Sequence, residues 1–81
     1  MNPEESFKKE VDSVISLFST GQTQDALNIA LSLIKSNPEE SILFNICGAC
    51  FASLGQSESA IEFYQKAISI KPDYAKAHFN L

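Results

Sequence analysis

The amino-acid sequence predicts an all-α protein of antiparallel helix-turn-helix repeats, and three observations support this fold class. Apolar residues recur at intervals of three and four, which is the spacing of one face of an α-helix. Asparagine, proline and glycine occur where such helices would begin and end. The chain also matches itself when Gly21 is aligned with Gly55, and this alignment is called the repeat shift below. The 81 residues therefore predict a single domain with four helices and the start of a fifth.

The predicted helix starts are marked by a repeated phrase. The pentapeptide Asn-Pro-Glu-Glu-Ser occupies residues 2–6 and again 37–41, and Lys-Pro-Asp-Tyr-Ala at 71–75 is a looser version. Asparagine can cap a helix by accepting a bond from a free backbone N–H, and proline fits the first helical position. The two carboxylates then lie near the positive end of the helix dipole. We therefore expect Asn2 and Asn37 each to open a helix.

The predicted helix ends are marked by glycines. Gly21 and Gly55 are expected to end the first and third helices, with Thr23 and Ser57 as caps of the helices that follow. The segments between these signals carry apolar residues at helical spacing. These residues are Phe7, Val11, Val14, Ile15, Leu17 and Phe18; Ala26, Leu27, Ile29, Ala30, Leu31, Leu33 and Ile34; Ile42, Leu43, Phe44, Ile46, Cys47, Phe51 and Leu54; and Ala60, Ile61, Phe63, Tyr64, Ala67, Ile68 and Ile70.

The internal repeat has two registers. The repeat shift, which places Gly21 on Gly55, also places Pro38 on Pro72. In the first helix a shift that is one residue shorter is better, because it sets apolar residues on apolar residues, such as Val11 on Phe44. The first unit is therefore a degenerate copy of the second, as is common for terminal repeats.

Residues 41–74 resemble one tetratricopeptide repeat. The second helix of this unit carries the A-x3-[FY]-x2-A-x4-P pattern of that family, and the first helix carries its large, small and aromatic positions. The matching residues are Phe44, Cys47, Gly48, Phe51, Leu54, Gly55, Ala60, Tyr64, Ala67 and Pro72. The resemblance implies a right-handed α-solenoid in which small residues let antiparallel helices approach closely.

The resemblance divides the chain into two repeats and a partial third. The first spans about residues 3–37, the second about 38–72, and the third begins at about 73 and reaches 81. The third unit has only the opening of a helix, so the chain is either a piece of a longer array or carries a short cap on its second repeat. Apolar surface at that end predicts self-association through the C-terminal helix.

Composition excludes several classes of partner. The net charge is −4, and all six basic residues are lysines. Because phosphate and base recognition needs clustered cations and usually arginine, no nucleic-acid partner is predicted, and the same deficit argues against an anionic membrane surface. No apolar run is long enough to span a bilayer, and the acidic start does not resemble a signal peptide. The sequence predicts a cytoplasmic protein.

No catalytic residue, metal or cofactor is predicted. Cys47 and Cys50 have the C-x-x-C spacing of redox and metal motifs, but they lie in the middle of a predicted helix with no strand before them. Zinc would need two further ligands, and His78 is the only histidine. We expect both cysteines to be small packing residues and His78 to be a structural residue.

The resemblance places a binding groove along the first helix of each repeat. The groove positions are Ile42, Asn45, Ala49 and Ala52, with Ser53 nearby; Lys76, Phe79 and Asn80; and, in the degenerate repeat, Lys8, Asp12 and Ile15. Asn45 could hold a peptide backbone, because its amide both donates and accepts, or it could be a solvated residue on an open face. Members that clamp terminal carboxylates use lysines, asparagines and an arginine. Lys76 matches, but Asn80 stands where the arginine would be, so a carboxylate clamp is not predicted.

The function that the resemblance implies is a non-catalytic protein–protein interaction module that binds a peptide or helix in the concave groove. Two alternatives remain at this point. The chain could be the N-terminal accessory segment of a larger enzyme, or it could be a structural unit that associates with copies of itself.

Overall fold

The computed structural model describes residues 2–73, and these form four α-helices in sequence. Their bounds are α1 Pro3–Ser19, α2 Thr23–Ser36, α3 Ser41–Ser53 and α4 Ser57–Ile70. No strand occurs among the described residues, so the all-α prediction is confirmed. The predicted fifth helix, from residue 74 onward, lies outside them.

The helices pack in the order of the chain. α1 packs on α2, α2 on α3 and α3 on α4, whereas α1 and α3 touch only marginally. α2 and α4 each contain 14 residues, and the repeat shift places the start of α2 at Thr23 on the start of α4 at Ser57. α1 has 17 residues and α3 has 13, and both end immediately before the same kind of turn. The two hairpins therefore share the register of the repeat shift at their turns and second helices, and α1 is one helical turn longer than α3 at its start.

Both glycine turns have the predicted conformation. Gly21 and Gly55 have φ angles of 85° and 79°, in the left-handed region that favours glycine. The N–H of Gln22 donates to the carbonyl of Leu17, and the N–H of Gln56 donates to that of Phe51, each at 2.8 Å. These bonds are the six-to-one bonds of a Schellman motif, which ends a helix and satisfies its last carbonyls.

The predicted caps of α2 and α4 are wrong by one residue. Gln22 and Gln56 occupy the N-cap positions, and neither side chain makes a capping bond. Thr23 and Ser57 are instead the first helical residues. The Schellman turns fix the chain path so tightly that the helix begins directly after the residue that follows each glycine.

The two copies of Asn-Pro-Glu-Glu-Ser have different structures. In the first copy the prediction is confirmed: Asn2 caps α1, its side-chain oxygen accepts from the N–H of Glu5 at 2.8 Å, and Pro3 is the first helical residue. In the second copy the prediction is wrong. Asn37 ends α2, and its backbone N–H and side-chain amide both donate to the carbonyl of Leu33, at 2.9 and 3.0 Å.

Helix α3 begins four residues after Asn37, with Glu40 at its N-cap position. Pro38 lies in the turn between the helices, where its ring prevents α2 from continuing. The N–H of Glu40 donates to the carbonyl of Asn37 at 3.3 Å and closes this turn.

The core surrounds α3. This helix carries no charged residue, and it is apolar on nearly all sides, as expected of a helix packed between two others. The main cluster of buried residues joins α1, α2 and α3 and consists of Val11, Val14, Ala26, Leu27, Ala30, Leu43, Ile46, Cys47 and Cys50. A smaller cluster joins Phe44 of α3 to Ala67 of α4.

Small residues bring α3 and α4 together, as the sequence predicts. Gly48 faces the ring of Tyr64, and a Cβ atom added at Gly48 would lie 2.6 Å from the Cδ1 and Cε1 atoms of that ring. Ala60 and Ala67 are also buried on the α4 side. No side chain larger than hydrogen fits at position 48 unless Tyr64 moves.

Aromatic rings seal the same contact. Phe63 of α4 lies against Phe44 and Phe51 of α3, with ring centroids 5.8 and 5.1 Å apart. The Nζ atom of Lys66 lies 6.0 Å from the centroid of Phe44, at the outer limit of a cation–π contact. The predicted anchor residues Phe44 and Phe51 therefore hold the hairpin closed.

Candidate functional site

The candidate site is the surface between the exposed faces of α1 and α3, called the groove below. Both helices pack on α2, and they touch each other only marginally. The resemblance assigns a binding groove to the first helix of each repeat, and in the described residues these helices are α1 and α3.

Helix α3 supplies the apolar side of the groove. Ile42 and Ala49 are half-buried, and Ala52 and Ser53 are exposed. Positions 42, 45, 49 and 52 are spaced by three and four residues, so they form one stripe along the helix. The structure thus keeps four of the five residues predicted for this helix at least partly accessible.

Asn45 lies deeper than its neighbours on this stripe. It is 7% exposed, which removes the alternative of a solvated residue on an open face. Among residues 2–73 no buried side-chain nitrogen or oxygen lacks a hydrogen-bond partner, so a ligand that uses the Asn45 amide must compete with contacts inside the protein.

Helix α1 supplies the charged side of the groove. Lys8 and Asp12 are exposed one turn apart, and Ile15 is 42% exposed one turn further along. Because α3 carries no charge, Lys8 and Asp12 are the charged groups among the predicted groove residues that the structure describes. The predicted groove would therefore have an apolar floor and a mixed-charge rim.

The remaining groove predictions lie outside the described residues. Lys76, Phe79 and Asn80 belong to the segment after Asp73, as does His78. They stay predictions from the sequence.

Cys47 and Cys50 are packing residues, as predicted. Both side chains are completely buried, and both thiols are free. Burial, with a smaller contribution from the neighbouring Cys50, raises the pKa of the Cys47 thiol to about 12. Burial also raises the pKa of the Cys50 thiol. A redox or nucleophilic cysteine needs a lowered pKa and solvent access, and these two have neither.

The described residues bring together no set of metal ligands: between Asn2 and Asp73, no three residues of the types His, Cys, Asp and Glu lie in a suitable group. In the same part of the chain, no helix combines the length and the apolar character that crossing a membrane requires. The expected lack of a cofactor stays a prediction.

Sequence reasoning missed three accessible apolar residues, namely Ile29, Leu54 and Ile61, which are 42%, 36% and 43% exposed. Ile61 belongs to the predicted core pattern of α4, yet it is 43% exposed. Leu27, which the repeat shift places on Ile61, is only 3% exposed. The sequence carries no signal for this difference, because it predicts a helix after α4 as well as after α2.

Comparison with known proteins identifies similar chains. Residues 48–81 match the family described as TPR repeat. The chain is similar to the peroxisomal targeting signal receptor of Kluyveromyces lactis, with 38% identity over 61 residues, which is 75% of this chain and 10% of the receptor. The corresponding receptor of Candida albicans is 38% identical over 60 residues, covering 74% of this chain and 10% of that protein.

A relative with a different name is similar over the same length. The Hsp70-Hsp90 organising protein of Plasmodium falciparum is 33% identical over 61 residues, which is 75% of this chain and 24% of that protein. The chain thus spans about a tenth of the length of the receptors and about a quarter of this relative.

Proposed function

This chain belongs to the tetratricopeptide repeat family, and on that premise we propose that it is a non-catalytic protein-binding module whose groove takes a peptide or a helix from a partner protein. The observation that supports the proposal is the accessibility of one stripe of α3, on which Ala52 is exposed and Ile42 and Ala49 are half-buried. A cytoplasmic location, predicted from the sequence, is part of the same proposal.

The chemistry of the groove favours an uncharged segment of the partner. The floor formed by Ile42, Ala49 and Ala52 offers apolar contact and no counter-ion, so a charged group placed on it would lose hydration without gaining an ion pair. Lys8 and Asp12, of opposite sign, can each pair with a charge at the edge of the bound segment. The small side chains at 49 and 52 let a partner backbone approach closely.

The names of the relatives suggest two partner classes. One relative is a receptor for peroxisomal targeting signals and another organises Hsp70 and Hsp90. Peptides that carry a peroxisomal targeting signal, and segments of Hsp70 and Hsp90, are therefore the partners to test first. Affinity should be modest, because so few repeats offer a small contact area. A role as the accessory segment of a larger enzyme is compatible with the same binding activity.

The test is an amide NMR titration of the 81-residue chain with short peptides of uncharged residues, and a peptide that ends in Ser-Lys-Leu, the peroxisomal address, serves as the charged comparison. We expect shifts at Ile42, Ala49 and Ala52. Ala52→Arg should abolish binding, because its side chain is exposed and would fill the groove. The matched control is Ser32→Arg, at an exposed position of α2 outside the groove. Shifts confined to α2 and α4 would contradict the proposal.

A second candidate function is self-association, and the exposure of Ile61 favours it. An isoleucine that is 43% exposed, on a face whose counterpart in the first hairpin is buried, offers apolar surface to a partner. The segment that the sequence predicts for this contact, residues 73–81, lies almost entirely outside the described residues, so the support comes from α4 alone.

A further inference from the structure

The C-x-x-C motif of α3 plays no part in the proposed function. Cys47 and Cys50 are both free, and their side chains are completely buried in the core that joins α1, α2 and α3. The two thiols are neighbours, because Cys50 contributes, after burial, to the raised pKa of Cys47. Two neighbouring thiols have a reaction that a single thiol lacks, since they can be oxidised to a disulfide within one chain.

The helix itself opposes this bond. Side chains three residues apart on an α-helix have Cβ atoms about 5–6 Å apart. A disulfide needs Cβ atoms about 3.5–4.5 Å apart, and larger separations strain it. Cys47 and Cys50 lie inside α3, Ser41–Ser53, so the bond forms only when this turn of the helix loosens. The dithiol is therefore compatible with a regular α3, and the disulfide requires an altered one.

The packing around this turn leaves little room for such a change. Gly48 follows Cys47 directly, and a Cβ atom at Gly48 would lie 2.6 Å from the Cδ1 and Cε1 atoms of the Tyr64 ring. The backbone of the turn thus already lies against α4. Because close-packed interiors transmit a displacement to their neighbours, closing the disulfide disturbs the contact with Tyr64 and the core around both cysteines.

The same turn carries part of the predicted groove. Ala49 directly precedes Cys50, and it is half-buried on the stripe of α3 that also contains Ile42 and Ala52. A disulfide between Cys47 and Cys50 would enclose Gly48 and Ala49 in its ring. One covalent bond would therefore alter both the contact with α4 and the surface that the proposed function uses.

We propose that Cys47 and Cys50 form a redox-sensitive switch of the groove, in which oxidation to an intrachain disulfide opens α3 and abolishes peptide binding, and reduction restores both. The proposal rests on the proposed function and adds its regulation. The oxidant is a low-molecular-weight disulfide such as glutathione disulfide.

The reaction follows ordinary thiol–disulfide exchange. The thiolate of one cysteine attacks the oxidant, which releases one glutathione and leaves a mixed disulfide on the protein. The thiolate of the other cysteine then attacks the mixed disulfide and releases the second glutathione. The protein gives up two electrons and two thiol protons, and both end on the two glutathione thiols.

The folded chain resists this reaction. A thiol with a pKa of about 12 supplies almost no thiolate near neutral pH, and the buried sulfurs of Cys47 and Cys50 are out of reach of the oxidant. Oxidation therefore proceeds through locally opened molecules, in which both thiols are accessible. A bound peptide holds α3 closed and slows the reaction. By linkage, the disulfide weakens peptide binding by the same factor by which the peptide disfavours the disulfide.

The first experiment compares the reduced and the oxidised 81-residue chain. The chain is oxidised with glutathione disulfide in concentrated urea, the urea is removed, and mass spectrometry verifies a monomer with an intrachain disulfide. We expect a lower helix content by circular dichroism and at least about tenfold weaker binding of an uncharged groove peptide. Dithiothreitol should restore both. The control is Cys47→Ala with Cys50→Ala, which has no thiol and should be unchanged by the same treatment.

The outcomes separate the two proposals. An oxidised chain with the helix content and the peptide affinity of the reduced chain overturns the switch, as does an equal effect of the treatment on the cysteine-free variant. A reduced chain that binds no peptide overturns the proposed function alone. The effect of the disulfide on α3 is then decided by circular dichroism and by the amide signals of Gly48 and Tyr64, which should leave their folded positions on oxidation.

The second experiment tests the link between binding and oxidation in the folded chain. The rate of oxidation by glutathione disulfide is measured near neutral pH without urea, with and without a saturating groove peptide. We expect the peptide to slow oxidation at least about tenfold, because only opened molecules react. In Ala52→Arg, which should not bind the peptide, the peptide should give no protection. An equal rate with and without peptide in the natural chain, once binding is verified, would overturn the switch.

Discussion

The two hairpins, α1–α2 and α3–α4, share a turn and a second helix of the same length, but they pack differently. α3 and α4 meet more extensively than α1 and α2. In the second hairpin Gly48 faces the ring of Tyr64. The ends of α1 at Ser19 and of α3 at Ser53 follow the repeat shift and not the shorter one. The repeat shift matches Gly48 and Tyr64 to Val14 and Ala30 of the first hairpin, and both lie in the main core. One hairpin uses a glycine with a large aromatic residue, and the other uses two side chains of intermediate and small size.

The pentapeptide Asn-Pro-Glu-Glu-Ser starts α1 in its first copy, but in its second copy it forms the turn that leads into α3. Asn2 acts as an acceptor for the N–H of Glu5, whereas Asn37 acts as a donor to the carbonyl of Leu33. An asparagine amide offers both functions, and the neighbouring backbone decides which is used. Asn37 directly follows α2, whose last carbonyls need donors, so it completes that helix and does not begin the next. Identical local sequences can therefore form different hydrogen bonds, depending on the backbone next to them.

The largest expected effect tests the matched pair Leu27 and Ile61. Leu27→Ala should lower the free energy of unfolding by about 2–4 kcal/mol, because it leaves a cavity between α2 and α3. Ile61→Ala should lower it by less than about 1 kcal/mol in the monomer, because Ile61 is already accessible. Urea unfolding at a concentration below dimerisation measures both. Equal losses would show that the two flanks are covered to the same extent.

The next effect tests the close contact of the second hairpin. Gly48→Val should lower the free energy of unfolding by about 1–3 kcal/mol, because its Cβ would overlap the Tyr64 ring. The matched control is Ala49→Val, at the adjacent half-buried position, with a loss below about 1 kcal/mol.

Transplanting the first hairpin's pair sharpens this test. In the double variant Gly48→Val with Tyr64→Ala, the loss in free energy of unfolding should be smaller than the sum of the two single losses. The difference should be about 1 kcal/mol or more. If the two losses in free energy of unfolding are strictly additive, the smaller residue at position 64 does not make room for the larger one at position 48.

A smaller effect, of opposite sign in the two copies, tests the asparagines. Asn2→Asp should leave stability unchanged or slightly raised, because aspartate is an equally good N-cap near the positive end of the α1 dipole. Asn37→Asp should lower the free energy of unfolding by about 1 kcal/mol, because it replaces a donor to Leu33 by a negative charge at the end of α2. Similar losses in both variants, measured by thermal unfolding, would contradict the different roles.

The smallest effect at neutral pH comes from the thiols, which occur only in the second hairpin. The pKa of Cys47 is raised from 9.0 to about 12, so the unfolded chain loses this proton at a lower pH than the folded chain. The stabilisation is fully present below pH 9 and is lost as the pH rises towards 12.

Between pH 8 and about pH 10.5, the free energy of unfolding should therefore fall further for the natural chain than for the double variant Cys47→Ala with Cys50→Ala. The reagent 5,5′-dithiobis(2-nitrobenzoate) should react with the folded chain no faster than its unfolding allows. Rapid labelling at neutral pH would show that the thiols are accessible.

Much of the fold follows from short-range chemistry. The turns at Gly21 and Gly55 could be predicted because glycine adopts positive φ without steric cost, whatever lies elsewhere in the chain. The contact at Gly48 could be predicted from the resemblance, because small residues recur there opposite large ones. The apolar stripe of the groove was predicted by the same route, and Ile42, Ala49 and Ala52 remain accessible in the structure.

The predictions that failed or were incomplete concern residues whose state depends on a distant neighbour. The sequence shows that Asn37 can cap a helix, but it does not show that the last carbonyls of α2 need its donors. Leu27 and Ile61 look alike in a helical pattern, and only the position of α3 makes one buried and the other exposed. Asn45 could be solvated or engaged, and its burial depends on how α3 is seated in the fold.

The sequence by itself determined where the helices lie and how the chain turns, because periodicity, proline and glycine act within a few residues of themselves. Tertiary structure alone decided which asparagine caps which helix end, which apolar flank remains exposed, and how deep Asn45 lies. Burial and hydrogen-bond supply are properties of the space between helices, and residues far apart in the chain fill that space together.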